Sequence, residues 1–153
     1  MSEKKEFIKL HAIQLGSVSV IELYIRANQF PDASIKLDLD DAPLLVGHSE
    51  YDPESKSIQV SVKTEIGMEK DKGTTPYSMR VELVGDFIVD EDEFPIAQID
   101  DWAVRNAPMI LQPYLREHVF ALTARAGFYP LILPLIEVPT LVSKRQEVID
   151  AES

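Results

Sequence analysis

Residues 57–66, SIQVSVKTEI, and 77–89, YSMRVELVGDFIV, alternate apolar and polar side chains with a period of two. A pleated strand sends successive side chains to opposite faces, so this alternation argues against helix and says which face is dry. Ile58, Val60 and Val62 share one face of the first run. Tyr77, Met79, Val81 and Leu83 share one face of the second, with Ser78, Arg80 and Glu82 opposite. Gly85 interrupts that second pattern, as a bulge or a close backbone approach would. The polar stretch GMEKDKGTTP joins the two runs as a hairpin connection, and the turn-rich YDPESK precedes the first. A third run, SIKLDLD at 34–40, sets Ile35, Leu37 and Leu39 against Lys36, Asp38 and Asp40 and predicts another strand. Upstream, IKLHAIQLGSVSVIELYIRA is β-rich without definable strand ends, and ANQFPDA is a loop carrying one exposed aromatic, Phe30. One-sided alternation predicts an antiparallel sheet with one covered face and one partly wet.

After about residue 90 the period changes. DEDEFP is an acidic lead-in whose carboxylates favour a following helix N-terminus. IAQIDDWAVRNA fits a short helix with Ile96, Ile99, Trp102 and Ala103 on one side. Asn106 is a good cap for the next helix, Pro108 suits its first turn, and Pro113 should bend or delay it. Leu111, Leu115, His118, Val119, Leu122 and Ala126 then run down one face, while Met109 and Phe120 lie nearly opposite. A helix with apolar groups on two sides must touch two surfaces. Gly127 supplies its stop. In FYPLILP the prolines prevent full strand pairing, so its apolar side chains need cover from within the fold, from another chain or from a ligand. PTLVSKRQEVID offers a last short helix capped by Thr140, with Leu141, Val142, Val148 and Ile149 at helical spacing.

Composition narrows the function classes. The chain of 153 residues is read as one domain, 1–153, with flexible ends at about 1–6 and 150–153. A net charge of −11 argues against nucleic acid, which attracts the opposite sign, and leaves basic or unfolded polypeptides as plausible partners. There are no cysteines, which excludes thiolate metal sites and suits a reducing compartment. Without an apolar leader or a membrane-length apolar run, the expected place is the cytoplasm, with no membrane insertion. His11, His48 and His118 are far apart, which favours structural or surface roles. Asp38, Asp40 and Asp41 could hold Mg²⁺, but the wet side of a strand entering a turn explains them more simply. Neither a glycine-rich phosphate loop nor a GxSxG elbow is present. The chain is therefore read as a non-enzyme without cofactor or metal.

The segment APMILQPYLREHVFALTARAGFYPLILP resembles the signature of SecB, the bacterial protein-export chaperone family. That signature is a Pro-x-x-Leu-Phe-Pro-Tyr-x-Arg-Glu helix start and a Ser/Thr-Arg-x-Gly/Thr-Phe-Pro-x-Leu-x-Leu-x-Pro exit. Pro108, Leu111, Pro113, Tyr114, Arg116, Glu117, Arg125, Gly127, Phe128, Pro130, Leu131, Leu133 and Pro134 stand in corresponding places. IKLDLD resembles the family's strand after its crossover loop, and YSMRVELVGDFIV its last strand, so the likeness covers about 34–138.

The resemblance implies an α+β fold: a four-stranded antiparallel sheet with helices packed on one face, assembled as a homotetramer, a dimer of dimers. It implies a chaperone in protein export, transport and translocation that binds unfolded preproteins or other non-native polypeptides without ATP. The implied client groove maps onto Phe30, Ile35, Leu37, Leu39, Leu131, Leu133, Leu141 and Val142. The helix between dimers would offer Leu111, Leu115, His118, Val119, Phe120 and Leu122 as interface. Gln112 departs from the family's aromatic, Tyr129 sits between Phe128 and Pro130, and LIEV replaces Pro-Val-Asn-Phe. Ser17, Ile21 and Arg80 stand where the family presents acids to SecA, which implies weak or altered coupling to that partner. A SecB-like chaperone dedicated to the antitoxin of a toxin–antitoxin system is the alternative, and a non-chaperone oligomeric scaffold is another.

Overall fold

The computed structural model describes residues 7–39, 43–68 and 75–136. Four strands, β1 (Ile13–Ala27), β2 (Leu44–His48), β3 (Ser57–Ile66) and β4 (Tyr77–Val89), form one antiparallel sheet in the order β1-β4-β3-β2. A single 3₁₀ turn, Ile96–Gln98, leads into α1 (Ile99–Arg105), and α2 (Ala107–Arg125) follows directly. The long helix packs on one face of the sheet, as the family resemblance implies.

Register explains which face is dry. Val62 lies opposite Leu83 and Val60 opposite Gly85, so the even residues of β3 and the odd residues of β4 share a face. Ile58, Val60, Val62, Met79, Val81, Leu83 and Phe87 on that face are fully buried. α2 covers them with Leu111, Leu115 and Val119, and Trp102 of α1 sets its ring edge-on to Phe87 at 5.1 Å. Gly85 is the close approach anticipated from its position: a Cβ there would lie 2.7 Å from Leu111 Cδ2. Irregular pairing occurs in β1 instead, between Leu15 and Ser17 and between Val20 and Glu22.

Three local expectations are corrected. Residues 35–39 are not a strand; the place beside β3 is taken by β2, a run (LLVGH) too short and too irregular in pattern to have been read as one. A turn sets the path of 34–39 instead, because the Asp32 carboxylate accepts the N–H of Ser34 at 2.9 Å and its hydroxyl at 2.6 Å. Asn106 does not cap α2 with its side chain; its backbone is helical and its N–H donates to Trp102 O, so α1 runs into α2 through it. Pro113 lies inside α2 and does not delay it, since the helix already runs from Ala107. The N–H it lacks would have met only the carbonyl four residues earlier, and burial of Leu111, Leu115 and Val119 outweighs that loss.

Gly127 terminates α2 with φ +88°, as expected. Phe128 N–H donates to Thr123 O and Gly127 N–H to Ala124 O, the paired bonds of a Schellman stop. Asp40, Asp41, the segment from Thr140 and both ends expected to be flexible lie outside the described residues.

Candidate binding groove

Beyond Gly127 the chain turns back along α2 as an extended segment, residues 128–136, that pairs with no strand among the described residues. Pro130 and Pro134 lack the N–H groups a ladder needs. Side chains of α2 satisfy the backbone instead. Thr123 Oγ1 accepts the Leu131 N–H at 2.9 Å, Arg116 Nε donates to Leu133 O at 3.0 Å, and Gln112 Nε2 donates to Pro134 O at 2.9 Å. Helix positions descend as segment positions rise, so the segment lies antiparallel to the helix.

That clamp decides which side chains face outward. Leu131 and Leu133 are only 6% and 4% exposed, whereas Ile132 and Leu135 are 63% and 78% exposed. Sequence reasoning missed this outward pair: Ile132 forms part of a cleft wall, and Leu135 lies beyond that cleft. Alternation within LILP does set Ile132 against Leu131 and Leu133, but it cannot say which side is inward.

Across from this wall runs the loop of residues 28–39. A cleft of about 270 Å³ separates Lys36, Leu37, Asp38 and Leu39 from Tyr129, Pro130, Leu131, Ile132 and Pro134. A second, of about 240 Å³, lies between Asp32, Ile35, Leu37 and Asp38 on one side and Pro76, Tyr77, Phe128 and Tyr129 on the other. The two share Lys36, Leu37, Asp38 and Tyr129, so they adjoin as one trough of mixed lining, in which apolar side chains stand beside Asp32, Lys36 and Asp38.

The expected groove residues divide accordingly. Ile35 is 59% exposed, and Leu37 and Leu39 are half-buried in the trough. Phe30 is 93% exposed but lines neither cleft. Leu131 is mostly buried but still lines the first cleft, whereas Leu133 is corrected: it lines neither cleft, and the clamp holds its side chain in the core. Leu141 and Val142 lie outside the described residues.

The expected interface residues divide too. Leu111, Leu115 and Val119 are buried beneath the sheet of their own chain and have no surface left to offer, which corrects their assignment. His118 and Leu122 are half-buried, and Phe120 is 44% exposed. Ile110 and Tyr114, which sequence reasoning had not assigned to an interface, are exposed on α2, as are Val20, Ile21 and Leu23 on the edge strand β1.

The opposite face of the sheet is mixed, with Lys63, Glu65, Arg80 and Glu82 beside the exposed Leu45 and Ile88. Arg80 bridges two strands there, with Nη1 3.2 Å from Glu22 and Nε 3.0 Å from Glu65. Desolvation raises the Glu65 pKa, but hydrogen bonds from Arg80 and Lys63 outweigh it and hold the carboxyl below its ordinary value. Among the described residues no helix is long and apolar enough to cross a membrane.

Comparison with known proteins agrees with this geometry. The family model of SecB, described as the preprotein translocase subunit, matches residues 14–148. An uncharacterized protein of Methanocaldococcus jannaschii is 28% identical over 138 residues, covering 90% of this chain and 86% of its own. The protein-export protein SecB of Anaplasma phagocytophilum is 29% identical over 117 residues, 75% of this chain and 73% of its own. Among solved structures, the SecB-like chaperone of Mycobacterium tuberculosis, in complex with a peptide from the HigA1 antitoxin, superposes with a TM-score of 0.59. That match is 16% identical and covers 82% of this chain and 88% of the other.

Proposed function

The chain belongs to the SecB family of chaperones, and on that premise we propose that it holds non-native polypeptides, without ATP, in the trough between residues 35–39 and 128–136. The observation that carries this reading is the outward display of Ile132 and Leu135, held in place by hydrogen bonds from α2 rather than by sheet pairing. Exposed apolar side chains along a trough suit a client that is itself unfolded and apolar. The sequence contains no glycine-rich phosphate loop, so nothing in it points to a nucleotide-driven cycle. The direct test is aggregation of an unrelated unfolded protein with and without this chain, in the absence of ATP. Suppression supports the reading, and unaltered aggregation contradicts it.

Assembly as a tetramer belongs to the same proposal. Ile110, Tyr114 and Phe120 on α2, and Val20, Ile21 and Leu23 on β1, are apolar surfaces that a second chain would cover. Light scattering should give a mass near four chains, and a stable monomer would sink this part.

The place in export is proposed with altered SecA coupling. Ser17 and Ile21 carry no charge, and Arg80 is already paired with Glu22 and Glu65. Titration with the SecA C-terminal zinc segment at physiological salt, against Ser17→Asp combined with Ile21→Glu, tests it. Wild-type binding as tight as the variant's would show that the missing acids do not matter. Dedication to an antitoxin is the second reading, favoured by the antitoxin peptide held by the M. tuberculosis chaperone, whose likeness to this chain is one of fold. A binding assay with the antitoxin of any neighbouring toxin–antitoxin pair decides it: selective capture supports dedication, and equal capture of unrelated clients argues against it.

A further inference from the structure

Residues 7–11 precede β1 and pair with no strand among the described residues. The Asp90 N–H donates to Ala12 O at 2.8 Å, and on the far side of that bond the chain leaves the sheet as an arm. Phe7, Ile8 and Leu10 on the arm are 94%, 88% and 74% exposed. Large apolar side chains so close together form a patch that marks a contact with another surface. Lys9 lies 3.7 Å from Glu93 and lays the arm along the loop after β4. A cleft of about 850 Å³ opens beside the arm, between the first residues of β1 and the two helices. Leu15, Phe94, Trp102, Ile110 and Tyr114 give it an apolar and aromatic lining. Its one acid and one base, Asp101 and Arg105, pair with each other at 3.1 Å, so the lining does not call for a charged ligand. The chain's own arm does not enter: His11 lines the cleft, but Phe7, Ile8 and Leu10 do not.

We propose that Phe7 and Ile8 of a second copy fill this cleft, each chain's arm reaching into the other. Ile110 and Tyr114 belong both to the cleft and to the α2 surface that a second chain would cover, so the arm extends that interface. Reciprocal exchange follows from a twofold axis, which brings the same patch of both copies together. Charge favours the same partner. Residues 3–9, EKKEFIK, hold three lysines against two glutamates in a chain whose net charge is −11. Asp90, Glu91, Asp92 and Glu93 run directly up to Phe94 on the cleft wall. An apolar pair flanked by lysines thus meets an acidic approach and an aromatic pocket. The inference rests on the assembly reading above and names one contact within it.

The chain has no cysteine, so introduced thiols report contacts without background. Ile8→Cys and Ile110→Cys chains, one carrying a mass tag, are co-expressed and treated with a short bismaleimide. The linked pair of unlike chains should form in several-fold higher yield than from Ile8→Cys with Lys36→Cys, whose thiol lies in the trough, outside this cleft. In parallel, light scattering over a dilution series compares wild type with Phe7→Asp combined with Ile8→Asp. Both side chains are almost fully exposed in the single chain, so the variant should fold as wild type does. Its assembly should dissociate at a concentration at least tenfold higher. Equal yields from the two mixtures, the result if each arm folds into its own cleft, would overturn the exchange. An unchanged dissociation midpoint would overturn it too, while leaving the assembly reading intact. A wild type that is monomeric at every concentration would overturn assembly and this contact together.

Discussion

Gln112 of α2 donates its side-chain amide to the carbonyl of Pro134, 2.9 Å away, and so ties the helix to the far end of the extended segment. Gln112 is itself buried, at a place where the family signature carries an aromatic ring. A phenylalanine there could fill the space but could not donate. Together with Arg116 and Thr123 it makes one side of α2 into a ladder for a segment whose prolines forbid a strand.

Gln112→Leu keeps most of the volume and loses the donor. Stability should fall by about 0.5–1.5 kcal/mol, the net worth of one hydrogen bond, because the exposed Pro134 can turn its carbonyl to water. In a chain of this size that is a Tm lower by roughly 2–4 °C per kcal/mol. Amide exchange at Ile132 and Leu133 should quicken more than exchange in β3. Uniform quickening across both would show that the bond does not specifically hold the segment.

Leu133 and Ile132 are neighbours in sequence with opposite surroundings. Leu133→Ser should destabilise by about 2–5 kcal/mol, as large-to-small changes in a core do. Ile132→Ser should fall within about 0.5 kcal/mol of wild type, as exposed substitutions do. Urea denaturation of both variants is the check. Comparable losses would mean that the inward and outward sides are wrongly assigned.

Arg80 gives the face of the sheet away from α2 an acid-sensitive tie. Glu65 titrates below its ordinary value of 4.5 because its hydrogen bonds to Arg80 and Lys63 outweigh desolvation. Its depressed folded-state pKa means the contribution is present at neutral pH and is lost as pH falls through that lower value. Both side chains are partly exposed, so solvent screening keeps the contribution small. Arg80→Met should therefore be less stable than wild type at pH 7, with the gap closing as pH falls below 4.5 and through the lowered Glu65 value. A gap independent of pH would assign the loss to packing of the arginine stem.

The fold's centre was legible because its signals are local and periodic. Alternation placed the faces of β3 and β4, helical spacing placed α2, and Gly127 placed its end. The errors came where a partner distant in sequence decides. SIKLDLD alternates as a strand does, but β2 takes the place beside β3, and Asp32 turns the chain before it. The phase of LILP is set by bonds to helix residues 8 to 22 positions away, so its period could be read and its inward side could not. The apolar stripe of α2 was correctly seen, yet its sheet-facing members were assigned to an interface. Amphipathic spacing identifies a covered side and is silent on whether the cover is the same chain or another.

The central claim is that the outward face of the extended segment holds non-native polypeptides. Its most direct measurement is the affinity of a permanently unfolded protein for wild type and for Ile132→Ser combined with Leu135→Ser, without nucleotide. Each apolar side chain withdrawn from contact is worth about 1.5–3 kcal/mol when fully covered, and about 1.4 kcal/mol is a factor of ten. The account predicts tight binding by wild type and binding more than tenfold weaker in a variant that unfolds at the same temperature. Equal affinity of the two proteins for the client would contradict it.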